Sequence, residues 1–172
     1  FTSAFILGAI WALILWVLVW VCEEPLLRLF GANDALMPLC KEYMVAPKLT
    51  VPVYVFINLL SSFLRNDGDP GRATKAVIFG GIFNVFGDYF FVFTLDMGIK
   101  GAGIATAMGA SMSVLVMLTH FISKKNTLKF VKPLRILNSF KMISVNGFSS
   151  FIVDVAMGIA TMLFNRRVME YL

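Results

Sequence analysis

Long apolar runs separated by short polar connections dominate this chain. Each run has about the 20 residues that an α-helix needs to cross some 30 Å of hydrocarbon. Apolar and polar residues do not alternate within the runs, so the pattern predicts spanning helices and not the strands of a membrane barrel. The five predicted spans cover residues 4–21, 39–64, 73–95, 101–122 and 143–164.

The composition supports a membrane protein. Hydrophobic residues make up 59% of the 172 residues, charged residues make up 15%, and the mean hydropathy is +0.83. A soluble domain of this length cannot bury so much apolar surface. The predicted fold class is therefore an all-α integral membrane protein, and Pro47 and Pro52 are expected to break its second spanning helix.

The positions of the basic residues predict the orientation of the helices. Nine of the fifteen Lys and Arg residues fall in the second and fourth connections, which are therefore expected to face the cytoplasm. They are Arg65, Arg72, Lys75, Lys124, Lys125, Lys129, Lys132, Arg135 and Lys141. This topology accounts for the net charge of +5, so nucleic acid is not an expected partner. The expected location is the cytoplasmic membrane, crossed several times.

The sequence contains no residue set typical of an enzyme or of a metal centre. Cys22 and Cys40 flank the first external connection, and the sequence leaves open whether they form a disulfide. His120 is the only histidine, and no Cys/His spacing matches a metal site. No enzyme activity and no cofactor are predicted. The chain opens at Phe1 without an initiator methionine, and it is expected to be an internal piece of a longer protein.

A polar stripe in the third predicted span is the clearest indication of function. Gly80, Asn84 and Asp88 follow one another at i, i+4 and therefore share one helix face. A carboxylate at membrane depth costs at least about 2.5 kcal/mol on insertion scales. A chain that keeps such a carboxylate commonly uses it for ions or protons, so the pair of Asn84 and Asp88 favours a transporter.

Thr106 lies on a stripe of small residues in the fourth span, between Ala102 and Ala110. Asp88 and Thr106 each lie about nine residues, or roughly 13 Å along a helix, from a turn centred near Met97, which predicts one common depth. Amide, hydroxyl and carboxylate oxygens at one depth suit a sodium ion or a protonatable acid. The alternative is a polar cluster that only joins helices, by hydrogen bonds of about 0.6 kcal/mol each.

Other polar positions in the spans are secondary candidates. Asp154 is a possible second acidic site, or else a carboxylate that faces a water-filled vestibule without titrating. Asn146 and Ser150, on the same face, are possible cavity-lining residues, as is Asn58, whose alternative role is to satisfy the backbone near the prolines. Lys48 either pairs with an acid or extends to the membrane surface, and the second arrangement is the one expected.

The order of several short motifs resembles the multidrug and toxic compound extrusion (MATE) family of transporters. The motifs are Leu29-Phe-Gly-Ala32, Tyr43, Arg65-Asn-Asp-Gly-Asp-Pro70, Asn84 with Asp88, Met97-Gly-Ile-Lys-Gly-Ala-Gly-Ile-Ala-Thr-Ala107 and Gly147-Phe-Ser-Ser-Phe-Ile-Val-Asp154. The resemblance implies a twelve-helix protein of two six-helix bundles, of which this chain would be helices three to seven. Residues 1–137 would then be the last four helices of the N-terminal bundle with a cytoplasmic linker, and residues 138–172 the first helix of the C-terminal bundle.

The resemblance also implies a site and an activity. Asn84, Asp88, Thr106 and Tyr43 match a family cation site that takes a proton or sodium as the coupling ion, and Asp154 occupies the position of a family acid that is usually glutamate. The implied activity is export of organic, often cationic, compounds in exchange for that ion. The expected partners are small organic substrates, membrane lipids and the remaining helices of the same protein. The alternatives are a lipid-linked oligosaccharide flippase of the same superfamily and an accessory membrane subunit without transport activity.

Overall fold

The computed structural model describes residues 1–133 and 135–170, and six α-helices account for most of them. The helices are α1 (Thr2–Val21), α2 (Glu23–Leu29), α3 (Met37–Asn66), α4 (Pro70–Asp88), α5 (Gly98–Leu118) and α6 (Ile136–Glu170). A π-helical segment, Tyr89–Thr94, extends α4, and a 3-10 turn, Thr119–Ile122, extends α5. Five of these helices are long and apolar enough to cross a membrane, which confirms the five predicted spans.

The observed helices extend beyond the predicted spans because hydropathy detects only their apolar middle parts. The last span, for example, was expected to begin at residue 143, whereas α6 begins at Ile136. The prediction that two prolines break the second span is wrong, because α3 continues through Pro47 and Pro52. A proline in a spanning helix is tolerated where neighbouring helices and hydroxyl side chains satisfy the freed carbonyls. Here the Tyr43 carbonyl, which Pro47 leaves without its helical donor, lies against Gly103 of the neighbouring α5.

Helix α5 forms the centre of the structure, with α3 and α4 packed against it. Its buried residues are mostly small, which lets the neighbouring backbones approach closely. They are Gly101, Gly103, Ala105, Gly109, Ala110, Ser113 and Met117. At the far end of α5, Met117 packs with Leu60 and Leu64 of α3 and with Ala73 and Ala76 of α4. This arrangement fixes the relative heights of the three helices.

Glycines determine how closely α4 and α5 approach each other. A Cβ atom on Gly80 would overlap the Ser113 hydroxyl and lie 2.6 Å from the Gly109 carbonyl oxygen. A Cβ on Gly109 would lie 2.9 Å from the Cβ of Asn84. The predicted face of Gly80 and Asn84 therefore does point at α5. On α5, Gly109 and Ser113 lie closest to Gly80, and Thr106 of the predicted stripe bonds to Asn84.

Lys48 is buried and paired with an acid, so the expectation that it extends to the membrane surface is wrong. Its side chain sits beneath the junction of α1 and α2, and only 8% of Lys48 is exposed. The ammonium nitrogen lies 2.8 Å from Oε1 of Glu23 and 4.6 Å from the ring centroid of Trp20. The carboxylate and the aromatic face both lie close enough to interact favourably with the charge in its buried position.

Lys48→Met is expected to destabilise the protein by about 3 kcal/mol, because it leaves the buried Glu23 carboxylate without its partner. The thermal midpoint of the detergent-solubilised protein measures this loss. In the double variant Lys48→Met with Glu23→Gln, which removes both charges, most of the stability should return. Equal midpoints for the single and double variants would show that the pair does not stabilise this junction.

The other ion pairs around α2 are exposed. Glu24 on α2 bonds to Lys41 on α3 at 2.8 Å, and both side chains are about half exposed. Exposed pairs of this kind contribute little to stability. Cys22 and Cys40 lie in the same region, and both are half-buried free thiols in the structure.

Candidate functional site

Three of the four predicted cation-site residues meet where α3, α4 and α5 come together. The Thr106 hydroxyl donates to the Ala102 carbonyl at 2.9 Å and accepts a bond from the Asn84 amide nitrogen at 3.4 Å. The Tyr43 hydroxyl lies 3.3 Å from the same oxygen. Because the single proton of Thr106 is already donated to Ala102, Tyr43 is the donor of that bond. The Thr106 oxygen is thus the shared acceptor of a network that joins three helices.

A proline and a glycine bring Tyr43 to this position. Pro47 has no N–H, so the Tyr43 carbonyl four residues earlier lacks its helical donor. That carbonyl faces Gly103 of α5, where any Cβ atom would overlap it, and the Pro47 ring packs at the same point. The two backbones are therefore in direct contact one helical turn from Thr106. This close approach places the Tyr43 side chain within reach of Thr106.

Asp88 is the last residue of α4 and lies one turn beyond Asn84. Its Oδ1 atom is buried and has no hydrogen-bond partner among the residues that the structure describes. A buried polar atom without a partner costs free energy, and most such atoms in folded proteins are paired. A carboxylate oxygen in this condition is suited to receive a proton or a cation.

The π-helical segment that follows Asp88 is a feature that the sequence analysis missed. A bond of 3.0 Å from the Leu95 N–H to the Phe90 carbonyl, five residues earlier, closes its last wide turn. Such segments are rare and occur frequently at functional sites. Nothing in the apolar residues from 89 to 94 distinguishes this segment from an ordinary spanning helix, so no sequence signal marks it.

A cavity of about 250 Å³ adjoins the hydrogen-bonded network. Both Asn84 and Thr106 line it, together with Tyr54 on α3 and Ser113 on α5. The volume corresponds to several water molecules at roughly 30 Å³ each. The amide and hydroxyl groups of the network can therefore be reached from this cavity.

The secondary candidates are not brought to this site. Asn58 is exposed, and its side-chain nitrogen donates to the Tyr54 carbonyl at 3.1 Å, which corresponds to its alternative, backbone-satisfying role. Asn146, Ser150 and Asp154 are exposed on α6. The described helix that packs most against α6 is α1, and not α4 or α5. The roles predicted for these three residues therefore remain predictions.

The chain is similar in sequence to known export proteins over most of its length. The family model MatE matches residues 1–90. Multidrug export protein MepA of Staphylococcus saprophyticus subsp. saprophyticus is 23% identical over 173 residues, which cover 96% of this chain and 38% of that protein. MepA of Staphylococcus aureus is 22% identical over 155 residues, or 87% of this chain and 34% of that protein. The chain thus spans little more than a third of the length of these relatives.

Two solved structures share this arrangement of helices. One, a multidrug resistance MATE family transporter of the MOP superfamily in an inward-facing conformation, aligns with a TM-score of 0.80 and 26% identity over 91% of this chain and 36% of that one. The other, MATE in a bent conformation, aligns with a TM-score of 0.77 and 27% identity over 90% of this chain and 35% of that one. The predicted fold class is therefore confirmed.

Proposed function

Because this chain belongs to the MatE family, we propose that it is part of an antiporter that exports organic, often cationic, compounds across the cytoplasmic membrane in exchange for protons or sodium. The observation that carries this proposal is the buried, unpartnered Oδ1 atom of Asp88, one turn from Asn84. A purely structural subunit would have no use for such an atom, which destabilises the fold unless a cation or proton binds there. The names of the relatives support organic compounds as the substrates.

The proposed coupling site consists of Asp88 with Asn84, Thr106 and Tyr43. Both lone pairs of the Thr106 oxygen are used, by Asn84 and by Tyr43. A sodium ion at Thr106 would have to replace one of these long bonds, whereas a proton on Asp88 would not. This geometry favours protons as the coupling ion. Coupling then requires that the protonated site and the substrate-bound site prefer different conformations, because a ligand shifts an equilibrium only by its differential affinity.

The proposed arrangement in the whole protein divides the chain near residue 137. Helices α1 to α5 would belong to the N-terminal bundle, and α6 would open the C-terminal bundle. The exposure of α6 supports this division, since no residue in the most apolar stretch of this helix is buried by the rest of the described chain. Helices from the rest of the protein would cover that surface.

The pairing of Lys48 bears on the flippase alternative. A flippase for lipid-linked oligosaccharides is expected to line its cavity with free basic residues. Lys48 lies farther from a helix end than any other basic residue of the described spanning helices, and its charge is held by Glu23. It therefore offers little positive charge to an anionic lipid head group, which supports the exporter.

Thr106→Val is expected to weaken the coupling site, because it removes the oxygen that Asn84 and Tyr43 share. A lost hydrogen bond of about 1 kcal/mol corresponds to roughly a fivefold shift in the ion concentration that half-saturates efflux. Thr106→Ser keeps the hydroxyl and should behave like the wild type. Ethidium efflux from vesicles, measured against proton and sodium concentration separately, tests this and identifies the ion. If valine and serine behave alike, the hydroxyl has no role in coupling.

A further inference from the structure

A buried histidine lies between two aspartates at the end of α5 that is remote from the candidate site. His120 is fully buried. Its Nε2 atom lies 2.7 Å from Oδ2 of Asp67, and its Nδ1 atom lies 3.3 Å from Oδ2 of Asp69. Gly68, between the two aspartates, has a φ of +76°. This left-handed conformation, which glycine adopts without strain, turns both flanking carboxylates towards one ring.

The two contacts define the state in which the cluster is stable. A neutral imidazole has one N–H donor and one acceptor nitrogen, whereas a carboxylate only accepts. Both contacts of His120 are therefore favourable only when the ring carries two protons. Removal of one proton would leave a nitrogen lone pair of the fully buried ring facing either Asp67 or Asp69 at close range.

The remaining charged groups of the cluster reach the aspartates and not the ring. Arg72 of α4 donates to Oδ2 of Asp69 at 2.8 Å, and the Lys125 ammonium lies 3.8 Å from the other oxygen of that carboxylate. Asp69 therefore keeps basic partners whatever the state of His120. Asp67 has no such cation among the described residues, so its pairing depends more strongly on the histidine.

Asp67 also holds the chain that follows α5. Its carboxylate accepts the backbone N–H of Thr127 at 2.9 Å and, through its second oxygen, the Thr127 hydroxyl. These two bonds and the bond from His120 lower the pKa of Asp67 to about 2, so it is ionised throughout the physiological range. One carboxylate thus links the turn between α3 and α4, the end of α5 and the segment that leads towards α6.

We propose that His120, as an imidazolium, is the positioning residue of a proton-dependent clamp that fastens the segment around Thr127 to the Asp67–Asp69 turn. Loss of one ring proton turns one attractive contact into a repulsive one, so the turn no longer fits both sides of the ring and the Thr127 segment loosens. The clamp itself does not depend on the proposed transport activity. Its relevance to movement between two bundles rests on the proposed division near residue 137.

Limited proteolysis of the purified, detergent-solubilised protein tests the clamp. Trypsin can cut after Lys124, Lys125 and Lys129 once the segment opens, and detergent makes both membrane faces accessible. At about pH 7, His120→Asn should be cut roughly tenfold faster than the wild type, because it cannot form two charged bonds. Ser139→Ala, a polar substitution outside the cluster, should be cut at the wild-type rate.

An NMR titration of the same protein distinguishes a clamp function of His120 from a purely structural role. With 15N-labelled histidine, the His120 signal, assigned by its loss in His120→Asn, should show two protonated ring nitrogens at about pH 7. As the pH rises, the ratio of wild-type to His120→Asn cleavage rates should approach one at the pH where His120 loses a ring proton. A neutral ring at pH 7, or protection that persists after deprotonation, would overturn the proposal even if the variant failed to fold.

Discussion

Asp88→Asn is expected to abolish ion-coupled efflux of ethidium while leaving the amount of protein in the membrane unchanged. Asparagine has nearly the shape of aspartate, so packing at the end of α4 is retained, but the group can no longer exchange a proton or neutralise a cation. Because the buried Oδ1 atom lacks a partner among the described residues, the substitution breaks no hydrogen bond at that atom. Loss of activity can then be attributed to the lost charge.

The efflux measurement should compare the whole transporter with and without this substitution, with the proton and sodium gradients collapsed in turn. Asp96→Asn is a matched control, since Asp96 is exposed and its φ of +52° suits asparagine as well as aspartate. We expect the control to transport normally. Normal efflux by Asp88→Asn at equal abundance would make Asp88 structural, and Asp154 would become the next residue to test.

Gly80→Ala is expected to cost more stability than alanine at any other glycine of α4. The new Cβ would overlap the Ser113 hydroxyl and lie 2.6 Å from the backbone oxygen of Gly109, which cannot rotate away. Forcing α4 and α5 apart should cost about 1–3 kcal/mol, more than the roughly 1 kcal/mol that alanine gains over glycine inside a helix. A loss of this size lowers cellular abundance several-fold.

Gly81→Ala provides the control for this experiment. A Cβ on Gly81 would meet no atom within 4 Å, so only the gain in helix propensity remains. Thermal midpoints of the two detergent-solubilised variants should therefore move in opposite directions from the wild type. If both variants were stabilised alike, the close contact between α4 and α5 described here would not exist in the folded protein.

The sequence predicted those features that depend on local periodicity. Helices of about 20 apolar residues are visible in any hydropathy pattern. The residue count from the turn near Met97 placed Thr106 level with Asp88, which stays a prediction; the observed bond joins Thr106 to Asn84, one turn earlier on α4. The spacing of Asn84 from Gly80 predicted the face that contacts α5, and the structure adds a bond from Asn84 to Thr106. These inferences succeed because a helix converts sequence spacing directly into position.

The features that the sequence did not predict depend on contacts between distant segments. His120 looked unremarkable because its partners, Asp67 and Asp69, precede it by about 50 residues and share no pattern with it. Lys48 was misjudged for the same reason, since Glu23 lies on a different helix. The continuity of α3 through its prolines was also missed, because propensity rules derived for helices in water overstate the cost of proline in a spanning helix that packs against its neighbours.

The prolines of α3 also give this helix a mechanical property. Pro47 and Pro52 each remove one rung of the hydrogen-bond ladder, opposite the carbonyls of Tyr43 and Lys48. Because these two hydrogen bonds are already missing, α3 can bend at either proline without breaking them. The part of α3 before Pro47 can tilt about its contact with Gly103. A small tilt would draw the Tyr43 hydroxyl away from Thr106.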